Sequence, residues 1–246
     1  MNSEIIHNLQ TIQQRIQNAC TESNRDCSEV KLLLATKTVS AERIKAALNS
    51  GQTLIAENKV QELKAKYDAL KGTPHTSHFI GHLQTNKIKE ILKYDVSCIQ
   101  SLDRLDLAEK LQQRLEFENK QIEVFIQVNT SNEESKFGVH PSKAIDLVQQ
   151  VAKFDRLKIM GLMTIGLFSA ETQKVRQCFR LLKNIQQEII ALNIPNLAMK
   201  ELSMGMSGDL ETAIIEGATI VRVGTAVFGQ RMYPDSYYWN ENKAYL

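Results

Sequence analysis

Short apolar runs alternate with amphipathic runs along almost the whole chain, and this alternation restricts the fold more than any other feature. An unbroken or every-second apolar pattern marks a strand, whereas apolar residues three to four apart mark a helix. The pattern predicts strands at 31–36, 53–55, 77–80, 96–100, 122–128, 158–163, 200–203 and 219–223. Helices are expected at 41–50, 59–71, 85–93, 103–119, from Pro141, at 171–192 and at 209–216, with Gly224-Thr225-Ala226 following the last strand. Ser40 and Ser101 stand where helix N-caps belong, and Gly51 and Gly72 just past helix ends. Strictly alternating strands and helices predict a parallel sheet, and eight units predict closure into a TIM (βα)8 barrel. Ile5, Leu9, Ile12, Ile16 and Ala19 add an amphipathic helix ahead of the first strand, within residues 1–30. An open, doubly wound sheet would need a glycine-rich phosphate loop after the first strand. Thr36-Lys37-Thr38 stands there instead.

No linker or composition break divides the 246 residues, so a single domain is expected, 1–246, ending in an aromatic tail at 231–246. The tail holds Tyr233, Tyr237, Tyr238, Trp239 and Tyr245, and packing against the barrel is its expected role. A net charge of +2 with interspersed signs argues against a nucleic-acid surface. No segment reaches the roughly 20 apolar residues of a membrane span, and Met1 to Ile6 has no secretory character. Cys20, Cys27, Cys98 and Cys178 form no C-x-x-C pair and read as reduced packing residues. A cytoplasmic monomer is the expectation.

Active sites of such barrels lie at the C-terminal ends of the strands, with phosphate often held after strands 7 and 8. The first strand, Leu32-Leu33-Leu34-Ala35, ends at Lys37. An amine at that position is either a solvated loop lysine or a partly desolvated nucleophile with a lowered pKa, able to condense with a carbonyl. Strand 7 is followed by Ser203-Met204-Gly205-Met206-Ser207-Gly208-Asp209, and strand 8 carries Arg222 before Gly224-Thr225. Hydroxyls and free backbone N–H groups gathered there suit a phosphate, although tight turns would carry the same residues. Pyridoxal 5′-phosphate offers both an aldehyde and a phosphate, and Arg222 falls between the two where its pyridine nitrogen would lie. Asn58 and Asn129 also fall after strands, where turn-forming accounts for them equally well; His82 reads first as a loop histidine, and Glu134 with Lys136 as a surface pair.

Several segments resemble the pyridoxal phosphate homeostasis protein family. They are Ala35-Thr36-Lys37-Thr38, Glu57-Asn58, His78 to Lys87, Gly161-Leu162-Met163, Leu202 to Ser207 with Asp209, and Val221 to Gly229. The similarity runs from about Lys31 to Arg231, and its Ser-Met-Gly-Met-Ser and Arg-x-Gly-Thr-x-x-Phe-Gly segments are the specific part. The resemblance implies the barrel of alanine racemase without its second domain. It implies a Schiff base on Lys37, phosphate on Ser203, Ser207, Gly224 and Thr225, Arg222 near the pyridine nitrogen and Asn58 near the ring. It also implies a cytosolic role in vitamin B6 and amino-acid balance without established turnover, with apo-enzymes that use the cofactor as partners. Where the family usually has Gly-Glu-Asn-Tyr, this chain has Ala56-Glu57-Asn58-Lys59, so no tyrosine role carries over.

Arginine stays protonated, so Arg222 disfavours a protonated pyridine and weakens it as an electron sink. No opposing acid–base residue is evident either. Binding is therefore the first reading, a weak racemase-like enzyme the second, and a Schiff-base aldolase acting on a sugar phosphate the third.

Overall fold

Leu33 and Leu34 are both buried although they point to opposite faces of one strand, which is what a sheet covered on both sides requires. The strands β1 (Lys31–Ala35), β2 (Leu54–Glu57), β3 (Thr76–Phe79), β4 (Val96–Leu102), β5 (Ile122–Gln127), β6 (Leu157–Met163), β7 (Glu201–Ser203) and β8 (Ile220–Val223) form one closed parallel barrel in chain order. The computed structural model describes residues 2–195 and 197–230; the aromatic tail from Tyr233 to Tyr245 lies outside the described residues. The barrel and its helix–strand alternation are as the sequence pattern predicts.

Two apolar layers follow from the alternation. Leu33, Ala56, Cys98, Phe125, Met163 and Ile220 close the barrel interior. Leu34, Ile55, Phe79, Ile99, Val124, Leu162 and Val221 face outward, onto the ring of helices. That ring contains α1 (Asn2–Glu22), α2 (Ala41–Asn49), α3 (Val60–Leu70), α4 (Ile88–Ile91), α5 (Leu105–Glu118), α6 (Ala144–Val151), α7 (Thr172–Ala191), α8 (Leu210–Ile215) and α9 (Thr225–Phe228). A four-residue α9 cannot cover the seam between β8 and β1. The apolar face of α1 (Ile5, Leu9, Ile12, Ile16, Ala19) does so instead, packing on α8, α9 and α2. Asn8 Nδ2 bonds the Val227 carbonyl at 3.1 Å, and Arg15 pairs with Glu211 at 2.6 Å.

Some expected boundaries differ. Ser101 is not a helix cap: it remains inside β4, because the buried run continues to Leu102, which pairs with Ile126. Arg104 takes the cap position of α5 without a side-chain cap bond. The expected helix at 85–93 is a 3-10 turn, Thr85–Lys87, ahead of the short α4, and Pro141–Lys143 forms a similar turn ahead of α6. Gly51, at φ 98, does end α2 as a left-handed residue should.

Candidate functional site

At the C-terminal end of the barrel the inward positions open. Leu33, Ala56, His78, Cys98 and Ile220 are buried, whereas Ala35, Asn58, Ile80 and Gly224 are half-buried. The inward face of β1 runs from Leu33 to Ala35, and Lys37, half-buried, follows in the turn just beyond the strand. The register Leu34↔Val223 sets this exit beside the exit of β8. There the approach is close: a Cβ on Gly224 would meet the Ala35 carbonyl oxygen at 2.9 Å. Asn58 leaves β2 alongside, since Ala35 pairs with Ala56. Its carbonyl is approached by Gly81, where an added Cβ would fall 1.9 Å from the Asn58 oxygen. Only glycine lets the exits of β2 and β3 meet so closely.

The floor of this opening is a polar chain across the barrel. Arg222, 5% exposed, donates from Nη1 to Ser203 Oγ at 3.0 Å and from Nη2 to the Thr164 carbonyl at 2.7 Å. Ser203 is fully buried and donates its hydroxyl hydrogen bond to Gln100 Oε1 at 2.7 Å. The Gln100 amide then faces His78 Nδ1 at 2.8 Å, and with its oxygen engaged by Ser203 it is the donor. Thr164 Oγ1 meets Thr130 Oγ1 at 2.9 Å and accepts the Gly166 N–H at 3.1 Å. Burial pulls the Arg222 guanidinium down to about 10, with Asp209 acting against it, so the group remains charged at neutral pH.

Burial, and after it the charge of Lys31, lowers the His78 imidazole to about 4 from 6.5. The folded chain therefore refuses a proton that the unfolded chain accepts. The stability tied to His78 is present in full above pH 6.5 and declines as pH falls toward 4, by about 3 kcal/mol. Urea midpoints measured between these pH values should show this loss, and His78→Gln should flatten it. Equal slopes in the two proteins would assign the acid sensitivity to other groups.

The rim is built differently from the floor. In the loop after β7, Met206 N–H donates to Asp209 Oδ1 at 2.5 Å and Arg222 N–H to the Gly205 carbonyl at 2.9 Å. Burial raises the Asp209 carboxyl, which the Met206 amide and Arg222 partly offset. Arg15 of α1 holds the Ser207 carbonyl from behind at 3.0 Å. In α9 the first hydrogen bonds come from Val227 and Phe228, both to Gly224, so the Thr225 and Ala226 amides lie ahead of them. Thr225 itself is exposed.

Among the residues singled out in the sequence, Lys37, Asn58, Ser207, Gly224 and Thr225 therefore lie in the segments that leave the strands at this end of the barrel, and Arg222 and Ser203 meet on the strands below. The Ser203 hydroxyl is engaged with Gln100 and Arg222, which makes it part of the floor rather than the rim. Gln100 was not legible as a site residue: in sequence it is one polar position within β4, and only the barrel sets it against Ser203 and His78. His82 stacks on Phe137 with ring centroids 3.9 Å apart, and its Nδ1 is 3.8 Å from Asp103. Lys136 pairs with Glu133 rather than Glu134 and also reaches the Gly166 carbonyl at 2.8 Å, tying two rim loops together. Among the described residues no group of three or more His, Cys, Asp or Glu could hold a metal ion. Nor is any described helix long and apolar enough to cross a membrane.

Known proteins resemble this chain in sequence and fold. The family model for the alanine racemase N-terminal domain matches residues 3–232. A pyridoxal phosphate homeostasis protein of Aquifex aeolicus is 43% identical over 92% of this chain and 97% of its own length. One from Escherichia coli K12 is 36% identical over 94% of this chain and 98% of its own. Among solved structures, PipY of Synechococcus elongatus PCC7942 with PLP bound has a TM-score of 0.79 at 30% identity, covering 92% of this chain and all of that one. An alanine racemase of Clostridium difficile 630, at 13% identity and a TM-score of 0.73, shares the fold over 58% of its length.

Proposed function

Because this chain belongs to the pyridoxal phosphate homeostasis protein family, built on the alanine racemase N-terminal barrel, we propose that it binds pyridoxal 5′-phosphate on Lys37 and serves its intracellular balance. The observation that supports this most is the seam between β8 and β1. There the exit of β1 that leads to Lys37 runs beside the exit of β8 that leads to Gly224 and Thr225, and β8 carries a buried arginine held by neutral acceptors.

The residues fit such a ligand. Lys37 is half-buried in the turn that follows β1. Ser207 and Thr225 offer hydroxyls, and Thr225 and Ala226 offer amides, to an anion above the loop. Gly224 keeps that surface free of a side chain. Arg222 presents a donor at the floor and stays protonated there, which suits an unprotonated ring nitrogen. Ser203 and the Thr164 carbonyl fix the guanidinium, and Gln100 and His78 extend the hold across the barrel. Asn58 borders the space between. When bound, the cofactor supplies an aldehyde that condenses with amines and a ring that withdraws electrons. The chain's part is to hold it, shield it and release it to apo-enzymes that use it, with consequences for amino-acid balance.

The test is chemical trapping. Incubation with pyridoxal phosphate followed by borohydride should add one phosphopyridoxyl group, and peptide mapping should find it on Lys37. A label on another lysine, or none, would overturn the assignment.

A further inference from the structure

Behind Lys37, on the outer side of the barrel, lies a buried ion cluster that the proposed binding does not itself use. Lys66 of α3 is 8% exposed, and its ammonium makes three bonds. It reaches Glu57 Oε1 at 2.8 Å, Glu62 Oε2 at 2.6 Å and the Thr36 carbonyl oxygen at 2.8 Å. Glu57, 3% exposed, also accepts the Thr36 hydroxyl at 2.7 Å. Glu62 Oε2 in turn accepts the Thr38 N–H at 3.1 Å. The two residues flanking Lys37 are thus held by one cluster: the carbonyl of the residue before it by Lys66, and the amide of the residue after it by Glu62.

The backbone at this point needs holding. Thr38 has φ 66, a left-handed conformation that a β-branched residue rarely adopts. Replacing a buried ion pair by apolar groups is often neutral or favourable, so overall stability is a poor reason for such a cluster. Its contacts converge on the turn that carries Lys37. We infer that Lys66, Glu62 and Glu57 are positioning residues for Lys37: from α3 and β2 they set the turn that aims its amine into the barrel mouth. This rests on the reading of Lys37 as the residue that bonds the cofactor.

Two ligands separate aim from general pocket shape: pyridoxal phosphate, and the analogue carrying a methyl group in place of the aldehyde. Only the first can react with Lys37, while both use the phosphate rim and the floor. Glu62→Ala should weaken pyridoxal phosphate binding by about tenfold to a hundredfold and leave the analogue's affinity unchanged. In the cofactor-free protein the Thr38 amide should exchange hydrogen about tenfold faster. Equal losses for both ligands, or unchanged Thr38 exchange, would overturn the inference. Lys66→Met alone strands the Glu57 carboxyl and is prone to misfold, so it is paired with Glu57→Gln. That double variant should melt near the native temperature yet show the same selective loss; recovery of full pyridoxal phosphate affinity would count against positioning. Lys37→Ala separates the two failures. If it abolishes the preference for the aldehyde, the lysine reading stands and the Glu62 result alone judges the inference. If the preference survives, the lysine reading falls and the inference with it.

Discussion

Gly161→Ala should leave a barrel that barely folds. The new Cβ would lie 1.8 Å from the Glu201 carbonyl oxygen, 2.6 Å from its carbon and 2.9 Å from its Cα. All three atoms are backbone of β7, paired with β6 through Gly161↔Glu201. No side chain can swing aside, so the strands must part. β7 is also poorly placed to yield. It is three residues long, joins β8 through the single pair Ser203↔Ile220, and its Glu201 is tied to Lys31 at 2.6 Å. Parting there opens the barrel at its thinnest seam. A loss above about 4 kcal/mol belongs to the exceptional class and takes a large share of a typical 5–15 kcal/mol. The thermal midpoint should fall by about 10 °C or more. Gly51→Ala is the control: its φ of 98 is strained for alanine, but nothing lies within 4 Å of the new Cβ, so about 1 kcal/mol is expected. Melting curves that coincide for the two variants would show that the β6–β7 contact is not the constraint.

The contrast also shows what the sequence could carry. Strand and helix order was legible because burial on both faces of the sheet and on one face of each helix imposes different periods on the apolar residues. The placement of Lys37, Ser207, Gly224 and Thr225 at one end of the barrel was legible because a parallel barrel puts all its strand ends on one face, and the register brings β8 beside β1. Inward direction within a strand was harder. Ser203 reads as a phosphate-binding hydroxyl at the end of its strand, and only the barrel shows it facing Gln100 and Arg222. Gln100 carries no local signal that distinguishes a barrel floor from a chance polar residue. The Glu57–Lys66 pair was hidden for another reason. Its members lie on β2 and α3, and in sequence Lys66 looks like one more solvated charge on a helix. Ser101 was misread as a cap because cap residues and buried serines share a composition, and only pairing beyond Ile99 separates them.

Loaded with cofactor, the protein should neither racemise nor decarboxylate ordinary amino acids at enzymatic rates. Arg222 is charged at neutral pH even with its pKa drawn down to about 10, so a ring nitrogen facing it would be left unprotonated. An unprotonated pyridine withdraws electrons weakly. A second acid–base group is also needed opposite Lys37. Asn58, Ser207 and Thr225 at the rim do not titrate near neutrality. Glu57 points away from the barrel mouth, bonded to Lys66 and Thr36. Lys136 is taken by Glu133 and the Gly166 carbonyl, and His82 is stacked on Phe137. His78 is neutral and lies in the floor beyond Gln100. Removing one acid–base participant lowers rates by about 10²–10⁴-fold. Delivery of the cofactor makes no such demand, since it needs only Lys37 and an incoming amine. Mixed with an apo-transaminase, the loaded protein should restore activity, while chiral analysis of added alanine, valine and isoleucine should show no inversion. Turnover within the ordinary range of about 1–10³ s⁻¹ for any of the three would make this an enzyme, and the binding role secondary.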